Sequence, residues 1–205
     1  MSSSPQAVFK VVVTGPFSAG KTTFIETVVD REFMTTGADT TSTSEIQTKR
    51  TTTIGMDFGV LTLSDEDGDI ELRIYGTPGQ ERFSFMWELL ADGADAYILM
   101  VNGDDPATWL AAHQHHAVME RAAIPGVIAV NRGTPEDAAR AGEYFGDLGL
   151  PVLACQATAI EDVKAVLVEA LLEILRELER GDENDDLHDH LHDDIHEPIE
   201  PGAVW

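Results

Sequence analysis

Eight residues near the start constrain this chain more than any others: Gly15-Pro16-Phe17-Ser18-Ala19-Gly20-Lys21-Thr22. They fit G-x-x-x-x-G-K-[ST], a loop whose successive backbone N–H groups wrap a phosphate. The apolar run Val8-Phe9-Lys10-Val11-Val12-Val13 precedes it, and the helical pattern Thr23-Phe24-Ile25-Glu26-Thr27-Val28-Val29 follows. The motif therefore lies between a strand and a helix, as its chemistry requires. The start of that helix adds the positive end of its dipole. Lys21 is expected to reach the β- and γ-phosphate oxygens, and the Thr22 hydroxyl to ligate Mg²⁺. Gly15, Ser18, Ala19, Gly20, Lys21, Thr22 and Thr23 are the candidate phosphate-binding set.

The rest of the chain can be placed around that loop. The first strand is expected at 9–14 and the first helix at 21–33. Residues 35–53 then hold eleven Thr or Ser among nineteen and show almost no apolar periodicity. A connection that long is mobile or functional. Strands at 57–64 and 70–75 flank the turn Asp65-Glu66-Asp67-Gly68-Asp69 and read as an antiparallel hairpin. Gly76-Thr77-Pro78-Gly79-Gln80 is a second glycine-bearing loop, with a helix expected over 81–90.

Continuous apolar runs at 96–101, 127–130 and 151–155 have the character of buried parallel strands. Asp105-Pro106 and Thr134-Pro135-Glu136-Asp137 read as helix starts, each with proline in the first turn. Thr158-Ala159-Ile160-Glu161 reads as a capping box ahead of the longest helix, to about Arg180. Val163, Val166, Leu167, Ala170, Leu171, Ile174, Leu175 and Leu178 form its apolar stripe. The expected fold class is α/β: a six-stranded, mostly parallel sheet with one antiparallel edge strand and helices on both faces. The expected organisation is a disordered N-terminus over 1–7, a nucleotide-binding domain over 8–180 and an acidic, His-rich tail over 181–205.

Charge and cysteine content narrow the function classes. The net charge is −24 over 205 residues. Nine acids and no Lys or Arg in 181–205 leave 28 acids against 13 bases in 1–180, so the domain itself is acidic. Binding to nucleic acid or anionic lipid is disfavoured, whereas a nucleotide needs only a local positive pocket. Cys155 is the only cysteine, which fits a reducing cytoplasm. No apolar run approaches the roughly 20 residues of a membrane helix. The termini offer neither a secretory signal nor a lipid-anchor motif, so no lipid anchor is expected.

Three blocks at these spacings resemble one family, the Ras- and Rab-like small GTPases. Gly15–Thr22 resembles their P-loop, Thr52-Thr53-Ile54-Gly55-Met56-Asp57-Phe58 their switch I, and Gly79-Gln80-Glu81-Arg82-Phe83 their switch II. The resemblance covers about 8–178. It is nearest the prokaryotic branch whose switch II reads G-T-P-G-Q, which includes actinobacterial conservon-type GTPases and is distantly related to bacterial polarity GTPases. It implies GTP/GDP and Mg²⁺ as ligands and a cytoplasmic switch read by protein partners. Thr53 would complete the metal shell with Thr22, Gly79 would contact the γ-phosphate through its N–H, and Gln80 would orient the attacking water. Asn131, Arg132, Thr134 and Ala157 fall at the base-recognition positions. Effectors and regulators would engage 35–55 and 76–90, and members of the family often work beside small roadblock-fold proteins. Oligomeric state is left open.

Two positions depart from the family pattern. Gly76 stands where the D-x-x-G aspartate holds Mg²⁺ through a water, which weakens the metal shell unless another acid substitutes. Asn131-Arg132-Gly133-Thr134 stands for N-K-x-D, so the carboxylate that specifies guanine is missing. Loss of a bidentate, charge-assisted pair removes a few kcal/mol of base discrimination. Arg50 lies three residues before Thr53, the spacing of the internal arginine finger of Gα subunits, and is a candidate catalytic residue.

The first functional reading is a Mg²⁺-dependent GTPase switch. The alternative is a binding module for a guanine or adenine nucleotide with little or no turnover. Phe85 and Trp87 are read either as exposed partner contacts or as packed under the loop. His113, His115 and His116 are read as surface histidines rather than a metal site. In the tail, Leu187, Leu191 and Ile195, and likewise His188, His192 and His196, recur at four-residue steps. This allows a short amphipathic helix with a metal-binding row, beside the reading of the tail as disordered.

Overall fold

The computed structural model describes residues 5–35, 55–64 and 68–193. Among the described residues seven strands form one sheet: β1 (Ala7–Thr14), β2 (Arg31–Thr35), β3 (Asp57–Ser64), β4 (Asp69–Gly76), β5 (Ala96–Asn102), β6 (Gly126–Asn131) and β7 (Val152–Cys155). Their order is β2-β3-β4-β1-β5-β6-β7. Strands β4, β1, β5, β6 and β7 are parallel, and β3 returns antiparallel to β4. The expected α/β sheet and its hairpin are thus present, and β2 adds a further short strand antiparallel to β3 at the edge.

Alternation along the central strands sorts the core into two layers. Val11 and Val13 of β1, with Ile98 and Met100 of β5, face α1 (Lys21–Val28) and α5 (Ile160–Asp193). Val12, Leu99 and Val101 face α2 (Ser84–Ala91) and α3 (Trp109–Arg121), joined by Ala141 of α4 (Pro135–Tyr144). Every residue of β5 is buried. Removing the Leu99 side chain to the β-carbon would cost about 2–5 kcal/mol through lost transfer energy and the cavity left behind. No described helix is long and apolar enough to cross a membrane.

The helix expected over 21–33 ends at Val28, and residues 31–35 form β2 instead. Val28 and Val29 are β-branched and carry little helix preference, and Val29 is already extended at φ −70°, ψ 138°. Pairing of Met34 with Phe58 and Thr35 with Asp57 then decides in favour of strand. After Asp105-Pro106 a single 3₁₀ turn, Pro106–Thr108, comes before α3 begins at Trp109. Helix α5 does not stop at Arg180 but continues to Asp193. At its start, Asp162 accepts a hydrogen bond from the Gln156 N–H at 2.8 Å.

The sheet order also fixes where a ligand can lie. Chain order reverses at β1, which has β4 on one side and β5 on the other. Such a reversal leaves a crevice beyond the carboxyl ends of the strands. The loop Gly15–Gly20 leaves β1 there, and the loop after β4 arrives beside it.

Candidate functional site

The phosphate loop is shaped by close approach. Gly20 caps α1 in the left-handed region at φ 98°, and a Cβ there would come within 2.2 Å of Asn131 Nδ2. Only glycine fits without moving that side chain. Ala19 is buried, while Ser18 and Thr23 are exposed. Lys21 is 8% exposed, and its Nζ donates to the carbonyls of Gly15 at 2.7 Å and Pro16 at 2.8 Å. Burial pulls its pKa down to about 7, against the Asp57 carboxylate, which pushes it up. An ammonium this poorly solvated is primed to pair with phosphate oxygens.

The second loop rests directly on the first. A Cβ at Gly79 would come within 2.7 Å of the Phe17 backbone and 2.9 Å of Lys21 Nζ. The residue that the resemblance sets against a terminal phosphate is therefore next to the lysine that would hold it. Gln80 follows in extended conformation at φ −96°, ψ 131°, at the head of a 3₁₀ turn, Glu81–Phe83.

An acid from the neighbouring strand stands opposite the position where the family's acid is absent. Asp57 opens β3 and pairs with Gly76, the last residue of β4. A Cβ at Gly76 would lie 3.1 Å from Asp57 Cβ and 3.2 Å from Oδ2. The Asp57 side chain thus occupies the space beside Gly76. Its Oδ2 accepts a hydrogen bond from the Thr22 hydroxyl at 2.6 Å, and the residue is 3% exposed. A hydroxyl and a carboxylate beside a phosphate loop are hard oxygen donors suited to Mg²⁺, which takes few protein ligands and completes its shell with phosphates and water. Among the described residues no cluster of three or more His, Cys, Asp or Glu could hold a metal without such help. Thr53 and Arg50 lie outside the described residues.

At the other end, Asn131 joins three segments. Its Nδ2 donates to Ala19 O at 2.9 Å, and its Oδ1 accepts from Ala157 N and Arg132 N, each at 3.0 Å. The phosphate loop, β6 and the turn before α5 are thereby tied together. Asn102 at the end of β5 donates to Ser18 O at 3.2 Å, and its Oδ1 is buried without a partner among the described residues. Arg132 is exposed with φ 55°, and its guanidinium lies 3.9 Å from Asp104. Thr134 is committed to α4: its N–H and hydroxyl both donate to Asp137 Oδ2, and Asp137 N–H donates back to the hydroxyl. These bonds, the backbone one foremost, hold the Asp137 carboxyl below its ordinary range. Thr134 and Asp137 are the reciprocal cap that the sequence implies.

The aromatic pair in α2, after the second loop, divides between its two readings. Phe85 is 60% exposed, whereas Trp87 is packed beneath the loop and its indole N–H donates to Pro78 O at 2.7 Å. The histidines of α3 are not all at the surface: His115 and His116 are buried, and only His113 remains half-exposed. Their positions carried a signal, since Ala112, His115, His116 and Met119 share one face of a helix at three- and four-residue steps.

Residues 27–183 match the family described as a conserved hypothetical ATP binding protein. The chain belongs to that family. The match begins within α1, so the phosphate loop rests on its own motif and geometry. An uncharacterized protein of Methanocaldococcus jannaschii is 32% identical over 99 residues, 48% of this chain and 54% of that protein. The human Ras-related protein Rab-3A is 32% identical over 93 residues, 45% of this chain and 36% of that protein. The GTP-binding protein yptV5 of Volvox carteri is 29% identical over 100 residues, 49% and 42% of the two chains. The chain thus spans about half, or less, of each of these relatives.

Proposed function

We propose that this chain binds a nucleoside triphosphate with Mg²⁺ and hydrolyses its γ-phosphate, with GTP as the substrate. It would act as a switch whose state is read by a protein partner through 35–55 and 76–90. The observation that carries this reading is the seating of Gly79 against Phe17 and Lys21 Nζ. A γ-phosphate held by Lys21 would be within reach of the second loop, so that loop's conformation would depend on it. Lys21 and the backbone of 15–20 bind the phosphates, Gln80 orients the water, and Thr22, Thr53 and Asp57 hold the metal. When bound, Mg²⁺ neutralises charge on the β- and γ-phosphate oxygens. Asn131 and Ala157 would meet the base. Exposed Phe85 supplies an apolar contact for a partner, for which a roadblock-fold protein is the candidate by resemblance.

A second reading is favoured by Thr134, whose hydroxyl is spent on its own helix, and by the family's description as ATP binding. Here the chain holds a guanine or adenine nucleotide with negligible turnover. Comparing fluorescent GDP and ADP binding with Mg²⁺, followed by phosphate release from wild type and Gln80→Leu, separates the two. Tighter GDP binding, with release that Gln80→Leu abolishes, supports the first. Equal affinities rule out guanine specificity. Absence of release from both proteins favours the binding module.

A further inference from the structure

His115 is 1% exposed on α3, yet its partners are not core aliphatics alone. Its Nδ1 lies 2.8 Å from the Thr14 hydroxyl, which lies 2.9 Å from the Thr77 hydroxyl. Thr14 is the last residue of β1 before Gly15, and Thr77 follows Gly76 in the second loop. The imidazole also stacks on Trp87, with centroids 3.6 Å apart and planes 29° apart. Trp87 in turn holds the Pro78 carbonyl. The loop is thus gripped twice from one histidine: at the Thr77 side chain through Thr14, and at the Pro78 backbone through Trp87.

Burying two hydroxyls and an imidazole costs more than burying aliphatic groups of the same size, unless every bond is made. What such a network supplies is one defined arrangement. The proton count supports this. Burial, and secondarily the charge of Lys21, keep the ring neutral, with its pKa down at about 3. The Thr14 hydroxyl has one proton, so it can donate to only one of its two neighbours and accepts from at least one of them. The chain of bonds cannot be made with an aliphatic residue at any of the three positions.

We propose that His115 is a positioning residue for the reaction read above: through Thr14, Thr77 and Trp87 it fixes the loop 76–80, so that Gly79 stays against Lys21 and Gln80 leaves it extended. The inference rests on that reading for its effect on rate, but the latch itself can be examined without nucleotide. Three variants divide its parts. His115→Phe keeps a stacked ring and loses the bond, His115→Asn offers a polar group near the Nδ1 position, and Thr77→Val keeps shape and loses the hydroxyl.

Two measurements are made on the full chain. The first is amide hydrogen exchange of 76–83 against 96–102 without nucleotide. His115→Phe and Thr77→Val should each speed exchange in the loop by about tenfold while leaving β5 unchanged, as expected of local rather than global opening. The second is single-turnover phosphate release alongside binding of a fluorescent diphosphate. Release should slow by about tenfold or more with diphosphate affinity held within about threefold, a loss confined to the reacting state. The double variant should be no slower than either single one, because both break the same chain. His115→Asn should recover much of the rate. If His115→Phe does not fold, Thr77→Val alone decides. Loop exchange at the wild-type rate, or loop and β5 accelerating together, overturns the latch. Faster loop exchange with unchanged release overturns its role in positioning. If wild type releases no phosphate, the hydrolase reading fails and so does the positioning role, while the exchange data still judge the latch.

Discussion

The two ends of the candidate site are built on different terms. At the phosphate end, strands, loops and charges depend on one another: Lys21 and Asp57 are buried, Thr22 bonds to Asp57, and Gly79 has no room for a side chain. At the base end, Asn131 is buried and tied in, but Arg132 and Thr134 are exposed, and Thr134 is satisfied by Asp137 of its own helix. The contrast separates two kinds of specificity. Recognition of a polyphosphate would draw on groups that the packing of the sheet's carboxyl edge already fixes. Recognition of a particular base would depend on a few surface groups that the fold does not need.

The largest break should come from removing the phosphate end's charge. Lys21→Ala is expected to weaken nucleotide binding by about 100-fold or more, the scale of losing a desolvated charge contact. A titration of fluorescent diphosphate checks it, and binding within tenfold of wild type would move the phosphates elsewhere. Next, Asp57→Asn should raise the Mg²⁺ concentration needed for half-maximal binding by about 10–100-fold or more, since loss of even an outer-shell partner costs that much. If that requirement is unchanged, Asp57 is not the acid replacing the one absent at Gly76.

The base end should respond differently. Thr134→Asp restores a carboxylate at a position where aspartate caps a helix as well as threonine does. The ratio of GDP to ADP affinity should rise by about tenfold through a charge-assisted pair, with phosphate-dependent binding otherwise kept. A ratio that does not move would show that the base lies away from Thr134.

The smallest effect concerns protons. A Lys21 pKa of about 7 leaves the ligand-free ammonium half ionised near neutrality. Phosphate oxygens favour the charged form, so binding at pH 7 should take up about half a proton, read from calorimetry in buffers of different ionisation enthalpy. The folded pKa lies below the ordinary lysine value of 10.5. Between about 7 and 10.5 the unfolded chain therefore binds more protons than the fold does, and the ligand-free protein should gain stability as pH rises through that window.

Much of this was legible because it is local. Gly15–Thr22 carries its own context, the apolar runs of β5 and β6 announce burial, and Thr134-Pro135-Glu136-Asp137 spells its own cap. What escaped was set by neighbours distant in sequence. The hairpin that sets Asp57 against Gly76 was legible, but the contact of Asp57 with Thr22 depends on how β3 and α1 pack together, which local pattern does not show. Residues 31–33 read as the end of a helix because their periodicity is short, and pairing with β3 makes 31–35 a strand. His115 looked like part of a polar cluster, although its spacing from Ala112 and Met119 already set it on the buried face.

The self-contained cap of α4 has a consequence for how this protein can change. Thr134 and Asp137 satisfy each other, and Arg140 pairs with Asp137 at 2.7 Å on the same helix. None of these three residues is fully buried. This surface corner can therefore be rewritten a few residues at a time, by drift or by an engineer, with little risk to the sheet. If that corner meets the base, nucleotide preference would be an exchangeable part of this architecture, set beside a loop pair in which Gly20 and Gly79 leave no room for a side chain.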